Sequence, residues 1–257
     1  MNSYRDLAGS PFWKATSRAL AGMKIETEGE GASWDEIHRT AVFCSQVGIP
    51  LTLKIGGVDA RTDLSLARGL GLSSVTAPMV ETEFGVVKFL SALETQSGAF
   101  DDVNVLIESK TGLANLEKIL GTLPPLINGV NFGRSDLQLS MRREVSVESD
   151  HMLELLSDGA AMAKSFGKRV TVGGQVVQNS VRRIVDHKLG ELIDRVETRR
   201  LVYDWPAVSD DISLLKGGFQ LEMLMAEIEA QGIQEAQARW ASRIATLKSR
   251  LLLEDSI

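Results

Sequence analysis

The sequence predicts an α/β fold, a (β/α)8 barrel of the TIM type, in a single domain spanning residues 1–257. Three observations support this prediction. Short β-like runs recur along the chain, amphipathic helical patterns lie between them, and 257 residues is a usual length for one barrel domain. Strands that alternate with helices pair in parallel through helical crossovers, and repeated units in a chain of this length favour a closed barrel over an open sheet.

Seven strand-like runs, rich in Val, Ile, Leu or Thr, form the predicted barrel core over residues 23–203. Their starts lie 23 to 29 residues apart, with one gap of 42. They begin at Met23, Leu51, Ser74, Val103, Ile127, Arg169 and Val196. The intervening segments, such as WDEIHRTAVFCSQVG, carry apolar residues at i, i+3, i+4 and i+7 and are therefore predicted to be helices.

The segment before the first run, residues 1–22, is predicted to contain a helix instead of an eighth strand. In SPFWKATSRALAG, Ser10 is suited to the N-cap position and Pro11 to the first helical turn. We therefore expect that the first strand of the barrel is incomplete or altered. The sequence leaves open whether the barrel has seven strands or eight.

The C-terminal region, residues 204–257, is predicted to form amphipathic helices. LEMLMAEIEAQG and IQEAQARWASRIATLKSRLLLE each carry an apolar stripe that must be buried against another surface. Packing on the barrel and packing on a second subunit both satisfy this requirement. We expect a homo-oligomer formed through these helices.

Composition and charge argue against several classes of protein. The formal net charge is −6 and no long run of Lys or Arg occurs, so a nucleic-acid partner is not expected. No apolar stretch reaches the roughly 18 residues of a membrane span, and the N-terminus lacks the apolar segment of a signal peptide. Cys44 is the single cysteine, so an internal disulfide is excluded and a cytoplasmic location is the default expectation.

Two carboxylates at neighbouring strand ends are the strongest candidates for a functional site. Working residues in barrels stand at or just after the carboxyl ends of the strands, and Glu108 and Asp136 both occupy such positions. Mg²⁺ and Mn²⁺ prefer one or two carboxylates, with water and substrate oxygens completing the octahedron. The three histidines, His38, His151 and His187, lie in a helical pattern or in charged segments, which argues against a zinc site.

The segments around these carboxylates resemble a known family. LIESKTGLANLEKIL followed by INGVNFGRSDLQLSM is similar to the central signature of the HpcH/HpaI aldolase/citrate lyase family, and GLGLSSVTAPMVET and GKRVTVGG extend the resemblance over about residues 24–203. The resemblance implies that Glu108 and Asp136 hold Mg²⁺ or Mn²⁺. The metal would chelate the carboxylate and keto oxygens of a pyruvate-like group and stabilise the enolate formed when a carbon–carbon bond breaks or forms.

The same resemblance assigns substrate-binding positions. The backbone amides of Gly133 to Ser135 are expected to contact the substrate carboxylate, because a glycine permits close approach. From its position after the fifth strand-like run, Arg134 is a further substrate-binding candidate, and the sequence leaves open whether it binds phosphate, a CoA-type group or nothing.

The sequence also departs from the family pattern. Lys54 stands where the family usually has an arginine, and a lysine offers a point charge without the bidentate fork. The segment ETEGEG lacks the family's histidine, while Leu106 replaces a frequent glutamine. We therefore predict Lys54 and Glu28 as catalytic residues, with a glutamate of raised pKa acting as the base.

These observations predict a divalent-metal-dependent carbon–carbon lyase, aldolase or synthase that acts on a 2-oxo acid or acyl substrate through a pyruvate-type enolate. The alternative is a non-catalytic barrel subunit derived from the family, which would serve a protein–protein interaction. A third interpretation, an unrelated barrel with a coincidental motif, requires that Glu108 and Asp136 do not converge. Metal binding by these two residues distinguishes the first interpretation from the others.

Overall fold

A closed barrel of eight strands lies at the centre of the protein in a computed structural model that describes residues 4–96, 98–230 and 234–255. The strand order follows the chain, and the last strand returns to the first. The barrel predicted from the sequence is therefore confirmed. The strands are β1 (Leu20–Glu26), β2 (Leu51–Lys54), β3 (Ser74–Ala77), β4 (Asp102–Ile107), β5 (Ile127–Gly133), β6 (Arg169–Gly173), β7 (Arg195–Glu197) and β8 (Leu201–Asp204).

The eighth strand arises at the end of the barrel and runs antiparallel to its neighbours. Strands β1 to β7 pair in parallel, whereas β8 pairs antiparallel with both β7 and β1. The run that begins at Val196 was predicted as one strand, but it is a hairpin whose turn contains Arg199 and Arg200. An antiparallel pair needs only a short turn, so the hairpin closes the barrel without a further helical crossover.

The first strand is complete and begins three residues before the predicted start. β1 pairs with β2 from Met23 to Glu26 and with β8 from Leu20 to Met23. Ala21 and Gly22 have low strand propensity, which hides the beginning of the strand in the sequence. Gly22 is required by packing, because a Cβ there would lie 2.9 Å from the carbonyl oxygen of Pro50.

Helices surround the barrel and connect its strands. They are α1 (Tyr4–Leu7), α2 (Pro11–Thr16), α3 (Trp34–Val47), α4 (Arg61–Gly69), α5 (Glu83–Glu94), α6 (Lys110–Ala114), α7 (Leu116–Thr122), α8 (Arg134–Ser140), α9 (Asp150–Ser165), α10 (Gln178–Val185), α11 (Trp205–Asp210), α12 (Leu214–Ala230) and α13 (Gln234–Asp255). The predicted N-cap Ser10 accepts a hydrogen bond from the Trp13 amide at the start of α2. Hydroxyl side chains cap α3, α5, α6 and α9 in the same way and fix where these helices begin: Ser33, Thr82, Ser109 and Ser149.

Alternation along the strands sends apolar side chains outward and polar ones into the barrel. On β4, Val103, Val105 and Ile107 are buried in the apolar core, while Asp102, Asn104, Leu106 and the following Glu108 line the interior cavities. TIM barrels usually fill their interior with branched apolar side chains. This interior instead holds ion pairs, with Lys24 Nζ 2.6 Å from Glu197 and Arg169 2.6 Å from Asp102. A column of polar side chains therefore leads up to Glu108 at the carboxyl end.

The C-terminal helices pack on the protein's own barrel. Helix α12 contacts α2 and α13, and the apolar side chains of Trp240 and Leu247 on α13 are buried. The division into residues 1–22, 23–203 and 204–257 and the homo-oligomer formed through these helices stay predictions. Within the described residues, no helix combines the length and the apolar character needed to cross a membrane.

Candidate active site

A cavity of about 260 Å³ opens at the carboxyl ends of the strands. Five of the seven residues that the sequence predicts for the site line this cavity: Lys54, Glu108, Gly133, Ser135 and Asp136. Glu28 and Arg134 are not among its lining residues. The barrel thus brings the ends of β2, β4, β5 and the first turn of α8 to one place, although these segments are far apart in the chain.

Glu108 is the central carboxylate of the cavity and is only 4% exposed. One of its oxygens, Oε1, accepts a hydrogen bond of 3.0 Å from the amide of Met79, a residue held at a φ of 53°. Burial raises the pKa of the Glu108 carboxyl to about 7; the nearby Lys54 opposes the rise and Asp136 adds to it. The two carboxylates therefore converge closely enough to repel each other.

Asp136 lies in the first turn of α8, two residues after the start of this helix. The sequence left an N-cap role for Asp136 as an alternative to metal binding. The N-cap position is occupied by Gly133, and no side chain caps this helix. The exposed Asp136 carboxylate instead lines the cavity beside Glu108.

Lys54 lies between two buried glutamates. Its Nζ is 3.5 Å from Glu26 Oε2 and 3.6 Å from Glu108 Oε2. Burial alone would raise the pKa of Glu26, but Lys24 and Lys54 outweigh it and the pKa of Glu26 is lowered. Glu26 is therefore ionised at neutral pH and keeps the Lys54 ammonium next to Glu108.

Glu28, the predicted base, is exposed at the rim, where its Cγ lies against Gly56. The residue that reaches the cavity from this segment is Glu26, at the end of β1. Lys24 and Glu26 share the inward face because side chains alternate along a strand, whereas Glu28 follows the strand in a loop. A period of two places residues 24, 26 and 28 on one face, so the sequence alone does not separate Glu26 from Glu28; the end of β1 at Glu26 does.

Glycines shape the side of the cavity formed by β5 and β6. A Cβ on Gly133 would lie 3.2 Å from Glu108 Oε2, so the glycine leaves room for the carboxylate. Gly174 has a φ of 87°, and a Cβ there would lie only 2.6 Å from the amide nitrogen of Ser135. Gln175 donates a hydrogen bond of 3.4 Å to Ser135 Oγ. The backbone of residues 133–135 is thereby held at the cavity wall.

The Arg134 side chain is fully buried and points away from the cavity. It donates hydrogen bonds to the carbonyl oxygens of Gly174 at 3.0 Å and Val147 at 3.4 Å, and to Ser180 Oγ at 3.3 Å. Glu148 lies 3.5 Å away as its carboxylate partner. The substrate-binding role predicted for Arg134 therefore does not fit its guanidinium, which ties the segment after α8 to the segment after β6.

The cavity wall also contains arginines that sequence reasoning missed. Arg243 and Arg250 reach it from α13, and Arg199 reaches it from the turn between β7 and β8. Arg199 lies within the strand-like run that begins at Val196, and the sequence does not specify which way its side chain points. No local pattern marks Arg243 and Arg250, because they lie more than 100 residues after the predicted metal ligands.

The donor set fits a hard divalent cation. Two carboxylates converge, one of them buried and carrying a raised pKa, and a cation between them would relieve their repulsion. Among the described residues there is no group of three or more His, Cys, Asp or Glu side chains suited to a metal. A pair of carboxylates suits Mg²⁺ or Mn²⁺, which take few protein ligands and keep water or substrate oxygens.

Comparisons with known proteins identify a family and structures with a similar fold. The family profile described as HpcH/HpaI aldolase/citrate lyase matches residues 45–183, more than half of the chain. The structure of an HpcH/HpaI aldolase from Desulfitobacterium hafniense DCB-2 is similar with a TM-score of 0.58 and 12% identity, over 82% of this chain and 87% of that chain. No curated protein sequence matches the chain.

Two further structures have the same fold. An HpcH/HpaI aldolase/citrate lyase family protein from Burkholderia cenocepacia J2315 has a TM-score of 0.57 and 15% identity, over 84% of this chain and 97% of that chain. The citrate synthase SbnG has a TM-score of 0.59 and 11% identity, over 82% of this chain and 88% of that chain. At these identities the likeness is one of fold.

Proposed function

Because the chain belongs to the HpcH/HpaI aldolase/citrate lyase family, we propose that it is a divalent-metal-dependent aldolase or lyase, or a synthase running in the reverse direction, that acts on a 2-oxo acid through a pyruvate-type enolate. Family membership supports the aldolase or lyase class. The observation that carries the metal-dependent mechanism is the buried Glu108 carboxyl, whose pKa is raised to about 7 and which lies beside Asp136.

Glu108 and Asp136 are the residues proposed to hold Mg²⁺ or Mn²⁺. When bound, the cation would supply positive charge where negative charge develops on the substrate, without a Schiff base. Glu108 is fixed for this role by the Met79 amide, and Gly133 keeps the adjoining wall free of a side chain. Both carboxylates must be deprotonated to act as ligands.

Lys54 is proposed to hold the enolate oxygen or the substrate carboxylate. Its ammonium lies within 3.6 Å of Glu108 and lines the same cavity, and Glu26 Oε2 lies 3.5 Å from it on the other side. A lysine in this position provides a compact charge that tolerates several substrate orientations, in contrast to the planar fork of an arginine. Glu26 is a positioning residue in this scheme, and the role of Glu28 as base stays a prediction.

The backbone of residues 133–135 is proposed to bind the carboxylate of the 2-oxo acid. Gly133 and Ser135 both line the cavity, and the glycine allows a substrate to approach the backbone closely. The close packing on Gly174 fixes the position of the Ser135 amide. This arrangement would place the carboxylate next to the two proposed metal ligands.

The first test is a calorimetric titration of the metal-stripped protein with Mn²⁺, with and without oxalate, a planar mimic of the pyruvate enolate. We expect Mn²⁺ to bind, oxalate to tighten its binding, and Glu108→Gln and Asp136→Asn each to abolish it. Glu28→Gln is the matched control, because this carboxylate is on the same rim but outside the cavity. Native protein that binds neither Mn²⁺ nor oxalate would refute the proposal.

The second test measures catalysis without knowledge of the full substrate. An enzyme that forms a pyruvate enolate exchanges the methyl protons of pyruvate in D₂O, which NMR detects as loss of the methyl signal. We expect exchange that requires Mn²⁺ and that Lys54→Met abolishes without abolishing Mn²⁺ binding. Mn²⁺ binding with no exchange of the pyruvate methyl protons would favour the alternative, a non-catalytic barrel subunit.

A further inference from the structure

Three arginines line the cavity in addition to the proposed metal ligands. Arg243 and Arg250 lie seven residues apart on α13, so both fall on the helix face that also buries Trp240 and Leu247. Arg199 joins them from the β7–β8 turn. We call these three residues the arginine cluster. They bring positive charge to a cavity that also contains three glutamates and an aspartate.

Carboxylates of the protein hold two members of the cluster in position. Arg199 pairs with Glu30 and donates a hydrogen bond of 3.2 Å to the carbonyl oxygen of Gly29. Arg243 lies 3.2 Å from Glu222 Oε2, and the other oxygen of Glu222 accepts a hydrogen bond of 2.6 Å from Thr198. Because Glu222 is buried and shared, it fixes Arg243 without filling all of its donors.

Arg250 is the member whose charge the protein leaves available. Among the described side chains, no carboxylate forms an ion pair with it, and its guanidinium lies 6.0 Å from the centre of the Phe219 ring. Burial lowers the pKa of Arg250, Glu222 opposes this effect and Arg199 adds to it. A guanidinium keeps its charge at neutral pH even so. A half-buried cation that lies close to a second cation favours an anionic ligand.

A neighbouring cavity shares Gly29, Arg199 and Arg243 with the first one. This second cavity of about 250 Å³ is lined by Gly29, Glu30, Arg199 and Arg243, together with Trp240, Ser242 and Thr246. The lining of the first cavity extends from Glu108 and Asp136 to the arginine cluster, which leaves room for a substrate larger than pyruvate. Its far end would lie against guanidinium and hydroxyl groups of α13.

We propose that Arg199, Arg243 and Arg250 form a subsite for a phosphate monoester on the second half of the substrate, the half that leaves or joins the pyruvate unit. This inference rests on the proposed function and adds the class of the partner substrate. A phosphate monoester is favoured over a carboxylate because it carries up to two charges and three terminal oxygens, which match several guanidinium forks at once. The carbon–carbon bond would break or form at the Glu108 end of the cavity.

The test is direct binding to metal-stripped, full-length protein, which separates this inference from the metal chemistry. Glycerol 3-phosphate is the probe in calorimetry at fixed ionic strength, with glycerol and succinate as comparison ligands. We expect glycerol 3-phosphate to bind, glycerol not to bind, and succinate to bind at least about 10-fold more weakly. Arg250→Gln should weaken binding by about 10- to 100-fold, as for loss of a charge-assisted hydrogen bond, and Arg250→Lys should fall between.

Matched variants make the result decisive. Arg18→Gln removes a surface arginine paired with Asp211 and should bind the probe as native protein does. Arg243→Gln is the second cluster variant, and thermal melting confirms that each variant is folded. Glu108→Gln should retain glycerol 3-phosphate binding, so loss of Mn²⁺ binding and loss of phosphate binding are independent results.

Three outcomes would overturn the subsite. These are native protein that does not bind glycerol 3-phosphate, a folded Arg250→Gln variant that binds it with native affinity, and equal affinities for succinate and glycerol 3-phosphate. The last outcome would replace the phosphate monoester with a dicarboxylate. Failure of Mn²⁺ and oxalate binding alongside intact phosphate binding would refute the proposed function and leave the subsite standing.

Discussion

Replacing Glu108 with glutamine should stabilise the metal-free protein at alkaline pH while abolishing metal binding. The carboxyl is buried, and its pKa rises from the ordinary 4.5 to about 7. That rise corresponds to about 3 kcal/mol in favour of the protonated carboxyl, at 1.36 kcal/mol for each factor of ten. Glutamine has nearly the same shape, can still accept the hydrogen bond from the Met79 amide, and carries no charge.

The pH window follows from the two pKa values. Between about pH 4.5 and 7 the folded protein binds more protons at Glu108 than the unfolded chain, so the free energy of unfolding falls as the pH rises through this range. The loss is complete above pH 7. The Glu108→Gln variant lacks this loss, so it should match native protein near pH 4.5 and exceed it by up to about 3 kcal/mol at pH 8.

Thermal and urea unfolding of metal-stripped protein at pH 5 and pH 8 measure the effect. A gain of about 3 kcal/mol corresponds to a rise of roughly 6 °C or more in Tm for a chain of this size. Mn²⁺ at 1,000 times the Kd should reverse the order, since only native protein then gains about 4.1 kcal/mol. Glu28→Gln, at an exposed carboxylate, should change stability by less than about 0.5 kcal/mol at either pH. A Glu108→Gln variant no more stable than native protein at pH 8 would refute the reasoning.

Three further substitutions test other parts of the site. Lys54→Met removes the ammonium beside Glu108. We expect the free energy of unfolding, measured in urea, to fall by roughly 3 kcal/mol at pH 8. Calorimetry should show that the pH profile of Mn²⁺ affinity is shifted to higher pH. Arg134→Met leaves the carbonyl oxygens of Gly174 and Val147 without this donor. The free energy of unfolding should fall by roughly 3–5 kcal/mol, while the folded variant should keep native Mn²⁺ affinity. Weakened Mn²⁺ binding by the folded variant would contradict a structural role for Arg134. Gly174→Ala places a Cβ 2.6 Å from the amide nitrogen of Ser135 at a positive φ. We expect the free energy of unfolding to fall by roughly 1–3 kcal/mol and oxalate binding to weaken. The control Gly57→Ala, with open space around the glycine, should change neither stability nor oxalate binding.

The sequence by itself determined the barrel and the pair of candidate metal ligands, because both depend on local order along the chain. Periodic apolar runs specify which residues become strands and helices. Glu108 follows β4 directly and Asp136 comes three residues after β5, and parallel strands in a barrel bring their carboxyl ends together. Their convergence therefore follows from the fold class, and Lys54 follows by the same logic.

Only the tertiary structure decided which neighbouring side chains share the cavity. Glu26 and not Glu28 reaches it, because the end of β1 fixes where alternation stops. Arg134 lies beside two cavity residues in sequence, yet packing against Gly174 and Val147 turns its side chain away. Periodicity gives the face of an element but not the direction of a long side chain at the element's first residue.

Contacts between distant segments decided the remaining features. The run from Val196 closes the barrel as a hairpin because β8 finds an antiparallel partner in β1, more than 170 residues earlier. Arg243 and Arg250 belong to a helix whose own pattern predicts only that one face is buried. The surface that this helix covers depends on how α12 packs against α2 and α13. The position of α13 depends on the packing free energy of surfaces that exist only once the barrel has formed. No local pattern in the chain encodes that position.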